Sequence, residues 1–103
     1  MTPTSDSPKP DAPAALTLEK RLDFAACANL AEALNGARHA DLTITARDVE
    51  FAGMLGVQLL LSAQMQWQQD GHRFVIAAPS PAFREGFALM GFADLPFNEV
   101  TDT

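Results

Sequence analysis

Few side chains in the sequence have the means to do covalent or metal chemistry: one thiol, Cys27, and two imidazoles, His39 and His72. Nucleophilic catalysis needs a hydroxyl or thiol, a base and a carboxylate converging in one pocket. Cys27 falls between Phe24 and Leu30 in an apolar stripe at helical spacing, the place of a small core filler rather than of an activated thiolate. His39 lies in the polar stretch Ala37–Asp41, and His72 follows Gly71 in a turn. Neither has a ligand partner four residues on, so no metal site is expected. Gly53 and Gly56 precede a helix whose first amides suit an anion, but no lysine follows and the spacing is not that of a phosphate loop. Glycines that let the chain turn tightly into the helix account for the pattern. Asp48 and Glu50, flanking that loop, read as solvated charge. No catalytic residue, no metal and no cofactor is expected.

What stands out instead is Ala52-Gly-Met-Leu-Gly56, a segment without a polar side chain where the chain feeds a helix. At the C-terminal edge of a parallel sheet, such residues either tuck under as core or form a partner's contact patch. Leu55 suits the core and Met54 a contact. The helix that follows has a neutral outer stripe of Gln58, Ser62, Met65 and Gln69, where Glu, Lys and Arg are usual. That stripe is either an ordinary neutral surface or a face that meets another protein.

The elements that must hold this segment follow from periodicity. Residues 1–14 are mostly Pro, Ser, Thr and Asp without an apolar run, and are expected to form a flexible tail. Ala15–Leu22 alternates at Leu16, Thr17, Leu18 and Glu19 and predicts a half-buried strand, with Lys20 and Arg21 suiting an edge. Asp23 is an N-cap for a helix with Phe24, Cys27, Leu30, Ala31 and Leu34 on its inner stripe, stopped by Asn35-Gly36. Asp41–Ala46 alternates again, with Leu42 and Ile44 facing one way and Thr43 and Thr45 the other. Arg47–Leu55 reads as a loop. From Gly56 to Gln69 a second helix turns Val57, Leu60, Ala63, Gln64 and Trp67 to one side, and Asp70-Gly71 ends it. Phe74–Ala78 is a continuous apolar run, the pattern of a central strand buried on both faces. Ser80-Pro81 starts a third helix, hydroxyl as cap and proline at its first position, with Phe83, Phe87 and Met90 stacked along it until Gly91. Leu95, Pro96 and Phe97 are placed over the end of the sheet. Strand and helix alternating three times imply right-handed crossovers and a mainly parallel sheet.

Composition bounds the partners. The chain has 103 residues, 48% hydrophobic and 19% charged, enough for one domain with a real core. Thirteen acidic against seven basic residues leave a net charge of −6, which excludes the electrostatic footprint of a nucleic-acid binder. The uncharged stretch Phe51–Gln69 is long enough for a bilayer span, but Gln58, Gln64, Gln66, Gln68 and Gln69 are costly in hydrocarbon, so membrane insertion is not expected. A single cysteine excludes an internal disulfide and fits a cytoplasmic location.

Three segments together resemble the STAS domain family, which includes anti-sigma-factor antagonists. They are the strand-to-helix junction Leu22-Asp23, the run Val49-Glu-Phe-Ala-Gly-Met-Leu-Gly-Val-Gln-Leu-Leu-Leu61, and Ala78-Pro-Ser-Pro-Ala-Phe-Arg84 followed by Leu89-Met-Gly-Phe92. The likeness covers roughly Leu16 to Phe97. It implies an α/β fold, a single STAS-like domain over residues 15–98 with helices packed mostly on one side of a small, mainly parallel sheet, and a C-terminal tail over 99–103. Many relatives begin with an additional strand; here the preceding residues are rich in proline. In regulated antagonists a serine at the start of the second helix is phosphorylated. Aligned on Gly56, the family's Asp falls on Gly53 and its serines on Met54 and Leu55, so no phosphorylation is expected there. The resemblance therefore implies a non-enzymatic module that binds a protein partner constitutively through Gly53, Met54, Leu55, Gly56, Gln58, Ser62 and Met65. The expected context is bacterial signalling, with a kinase-like or chemotaxis protein as partner. The alternative is a cytoplasmic STAS subunit of a lipid-transporting ABC complex, docked on its ATPase.

Overall fold

The computed structural model describes residues 13–103; residues 1–12, most of the expected N-terminal tail, lie outside the described residues. The strands are β1 (Ala14–Thr17), β2 (Arg21–Leu22), β3 (Leu42–Thr45), β4 (Phe51–Ala52), β5 (Phe74–Ala77) and β6 (Glu99–Thr101). The helices are α1 (Phe24–Gly36), α2 (Met54–Asp70) and α3 (Pro81–Ala88). β1, β3, β5 and β6 form one parallel sheet in that order, and β2 and β4 form a separate parallel pair. The expected α/β class with a mainly parallel sheet is the observed one.

Alternation fixes which face is covered. Leu42 and Ile44 are buried while Thr43 and Thr45 are half-buried, and the register lines Leu16, Ile44, Ile76 and Val100 into one row across the sheet. All four residues of β5 are buried, as its inner position requires. α2 adds Val57, Leu60, Ala63 and Trp67 to the core, and α3 adds Phe83 and Phe87. Phe97 closes the end of the sheet, its ring 5.9 Å from Phe74 and 5.3 Å from Phe87. The polar groups carried inside are satisfied. Trp67 Nε1 donates to the Ala40 carbonyl at 2.8 Å. Gln64 uses both ends of its amide: Nε2 donates to the Pro96 carbonyl at 2.7 Å and Oε1 accepts from Asn98 N at 2.8 Å. That clamp, with Arg73 Nε donating to Glu99 at 2.9 Å, delivers β6 to the sheet.

Four local expectations are corrected. Ala15–Leu22 is not one strand: it breaks after Thr17, and β1 and β2 belong to different sheets because the Lys20 carbonyl turns to accept from Glu50 N and Phe51 N. Residues 99–103, expected as a tail, contain β6, three residues too few to show a period. Arg47–Leu55 is not all loop, since it holds β4 and the start of α2, which begins at Met54 rather than Gly56. Phe24 is not on the inner stripe of α1 but 80% exposed, because the buried arc runs through Ala26, Cys27, Leu30 and Leu34.

Ala78 turns the chain out of β5 with φ at 51°, the left-handed region, while its N–H donates to the Thr101 carbonyl at 2.8 Å. An L side chain in that region costs about 1–2 kcal/mol, part of which glycine gives back through its freer unfolded chain. Ala78→Gly is therefore expected to stabilise the protein by about 0.5–1 kcal/mol. A denaturant midpoint that stays put or falls would contradict this.

Charge ties the N-terminal end of the sheet and the ends of the helices. Asp41 accepts from Arg73 N at 2.9 Å and lies 3.4 Å from His72 Nδ1. The Arg73 amide, against desolvation and helped by His72, holds the Asp41 carboxyl below its ordinary pKa, and the Arg73 guanidinium does the same for Glu99. Burial pulls the Asp70 pKa upward, but hydrogen bonds from Arg38 and Gln66 together outweigh it and the value falls. A carboxyl depressed by folding stabilises the native state above its unfolded pKa, and that contribution is lost as pH falls through the folded value. The thermal midpoint is expected to hold from neutrality to about pH 5 and to drop below it. Asp70→Asn should make the acid limb shallower, and an unchanged limb would contradict the assignment.

Candidate docking surface

The parallel pair β2–β4 sets where α1 and α2 start. Arg21 pairs with Phe51 and Leu22 with Ala52, so the caps Asp23 and Gly53 fall at matching positions and Phe24 and Met54 are the first residues of neighbouring helices. Asp23 caps α1 with its carboxylate, which accepts from Ala26 N at 3.0 Å. Gly53 caps α2 without a side-chain hydrogen bond, in extended backbone at φ −82°. It therefore needs no left-handed freedom, and neither glycine serves the turn as the sequence suggested. Gly56 serves packing: a Cβ there would lie 3.1 Å from Leu22 Cβ and 3.6 Å from Cys27 Sγ.

Met54 is 65% exposed, Leu55 46% and Met65 61%. Leu55, read from sequence as suited to the core, is thus at the surface with Met54. Gln58 and Ser62 are exposed too, Gly53 is half-buried, and Gly56 is buried and supports the surface rather than forming it. Two residues that sequence reasoning left out of the site join it, Phe24 and Phe51, the latter 41% exposed with the Arg21 guanidinium 4.8 Å above its ring. From Met54 to Gln69 α2 carries no charge, and α1 carries only Glu32. Between them runs a groove lined by Ala31, Leu34, Leu59, Ser62 and Gln66, with Arg38, which pairs with Asp70 at 3.1 Å, as its one charged wall residue. Such a surface offers apolar contact with a neutral hydrogen-bonding rim, and no group poised for proton transfer or nucleophilic attack.

The residues weighed for chemistry lie elsewhere. Cys27 is buried, its Sγ 3.8 Å from the Leu22 carbonyl, and burial with the nearby Asp23 carboxylate pushes its thiol pKa up. His39 is exposed with φ at 70°, and His72 sits beside Asp41. Among the described residues no three of His, Cys, Asp and Glu gather to hold a metal ion, and no helix is long and apolar enough to cross a membrane.

The family model described as "Mlab, STAS domain" matches residues 6–97. The chain belongs to the STAS domain family. No curated protein and no solved structure matches it. STAS domains are protein-interaction and signalling modules, generally without catalysis, and the geometry of this STAS domain fits such a role. Its second helix opens on Met54 and Leu55, with no hydroxyl in the first turn.

Proposed function

We propose that this STAS domain is a non-enzymatic, cytoplasmic docking module of bacterial signalling. It binds a kinase-like or chemotaxis protein constitutively, in the manner of an anti-sigma-factor antagonist relieved of its serine switch. The observation that carries the reading is the pair of exposed apolar side chains, Met54 and Leu55, at the head of a helix without charge as far as Gln69, with Phe24 at the head of the neighbouring helix and Phe51 in β4 also exposed. Met54, unbranched and adaptable, is the anchor. Leu55 supports it, and Gln58, Ser62 and Met65 form the rim. The complementary partner presents an apolar face poor in charge, since an unpaired charge set against this surface would be desolvated without compensation.

A second reading, a cytoplasmic STAS subunit docked on the ATPase of a lipid-transporting complex, is favoured by the description Mlab that the matching family model carries. Co-purification from the native host with the wild-type chain and with Met54→Asp tests both. A protein recovered by wild type and lost by the variant supports the docking surface. Equal recovery contradicts it. A kinase or chemotaxis protein among the specific partners favours signalling, and a transporter ATPase favours the second reading.

A further inference from the structure

Four sulfur-bearing side chains lie among the described residues, and their environments divide them sharply. Cys27 is 3% exposed, with a thiol held in its protonated, unreactive form by burial. Met90 is half-buried and packed against the core. Met54 and Met65 are 65% and 61% exposed, about three turns apart on the outer stripe of α2 with Gln58 and Leu61 between them. Both solvent-facing sulfurs thus sit on the face assigned to docking.

We propose that Met54 and Met65 are a paired oxidation site through which a hydroperoxide turns docking off. The inference rests on the docking reading above. A lone pair on Sδ attacks the peroxide, an S–O bond forms as the O–O bond breaks, and the second oxygen leaves as water or alcohol. The sulfur is oxidised by two electrons and the peroxide reduced by two. The product sulfoxide replaces an apolar contact with a strong dipole that a charge-poor interface leaves unpartnered. Reduction by a dithiol-dependent sulfoxide reductase returns the thioether, with a disulfide and water as products, so the change is reversible.

The experiment treats the full chain with hydrogen peroxide and follows each site by peptide mass spectrometry. Met54 and Met65 are expected to gain one oxygen well before Met90, with Cys27 unmodified and the circular dichroism unchanged. Equal rates at Met90, or resistance at Met54 and Met65, would overturn the proposal. The partner recovered by co-purification is then titrated against reduced, oxidised and reductase-repaired protein. Oxidation is expected to weaken binding by about tenfold or more, and repair to restore it. Met90→Leu, whose substituted sulfur lies off the docking face, should lose binding on oxidation as wild type does. If oxidised protein binds as tightly as reduced protein while Met54→Asp does not bind, the oxidation site falls and the docking surface stands. If Met54→Asp also binds as wild type, both fall.

Discussion

Gly86→Ala is expected to destabilise this STAS domain by about 3 kcal/mol, the upper end of what overpacking a dense interior costs. Gly86 is buried inside α3 and faces β4, where a Cβ would lie 2.5 Å from the Ala52 carbonyl oxygen and 2.8 Å from Ala52 Cβ. The obstacle is largely backbone, so no rotamer change relieves it. Either α3 lifts away from β4 or the β2–β4 pair shifts. Helix propensity works the other way, since alanine is favoured over glycine in a helix interior by about 1 kcal/mol, so a net loss isolates the steric effect. Denaturant unfolding monitored by Trp67, buried against Phe74, reads the change directly. A gain in stability would mean that α3 and β4 do not meet as described. Because β4 leads straight into Gly53 and α2, this contact also fixes the angle at which Met54 and Leu55 are presented.

The main elements were legible because their periods are long enough to count. Val57, Leu60, Ala63, Gln64 and Trp67 form the buried face of α2 that the helical wheel assigns, and Asp23 and Ser80 cap their helices as their types and positions suggest. The misses share a physical cause. β2, β4 and β6 have two or three residues each, below the length at which alternation can be told from chance, and what fixes them is tertiary: the Lys20 carbonyl, the Gln64 clamp and the Arg73–Glu99 pair. Phe24 mimics a core position because its spacing to Cys27 is helical. An arc centred on Leu30 and including Ala26 would have turned it outward, since a first-turn side chain points back past the helix start. Gly86 does carry a local signal, an isolated glycine between Phe83 and Phe87 inside a helical pattern, which usually marks a close approach. Met54 is exposed as the apolar segment before α2 suggests, but the exposure of Leu55 rests on where β4 ends, and no local pattern encodes that.

Met54→Asp is the second large effect, and its cost falls on binding rather than on the fold. Truncating or charging a central apolar anchor typically costs 2 kcal/mol or more of binding energy, roughly a thirtyfold loss of affinity. The same substitution suits the fold. Met54 is the first residue of α2, whose first turn holds no acid, and a carboxylate there interacts favourably with the helix dipole by about 0.3–1 kcal/mol. Stability and affinity should therefore move in opposite directions, which separates loss of a contact from loss of structure. Leu55→Asp should weaken binding less, in keeping with its smaller exposure.

Calorimetric titration of the co-purified partner with wild-type protein and with Met54→Asp, alongside the thermal midpoint of each, tests the docking surface most directly. The account predicts binding weakened about thirtyfold or more with the midpoint equal or raised. Equal affinities, with the variant fully folded, would show that the partner docks elsewhere.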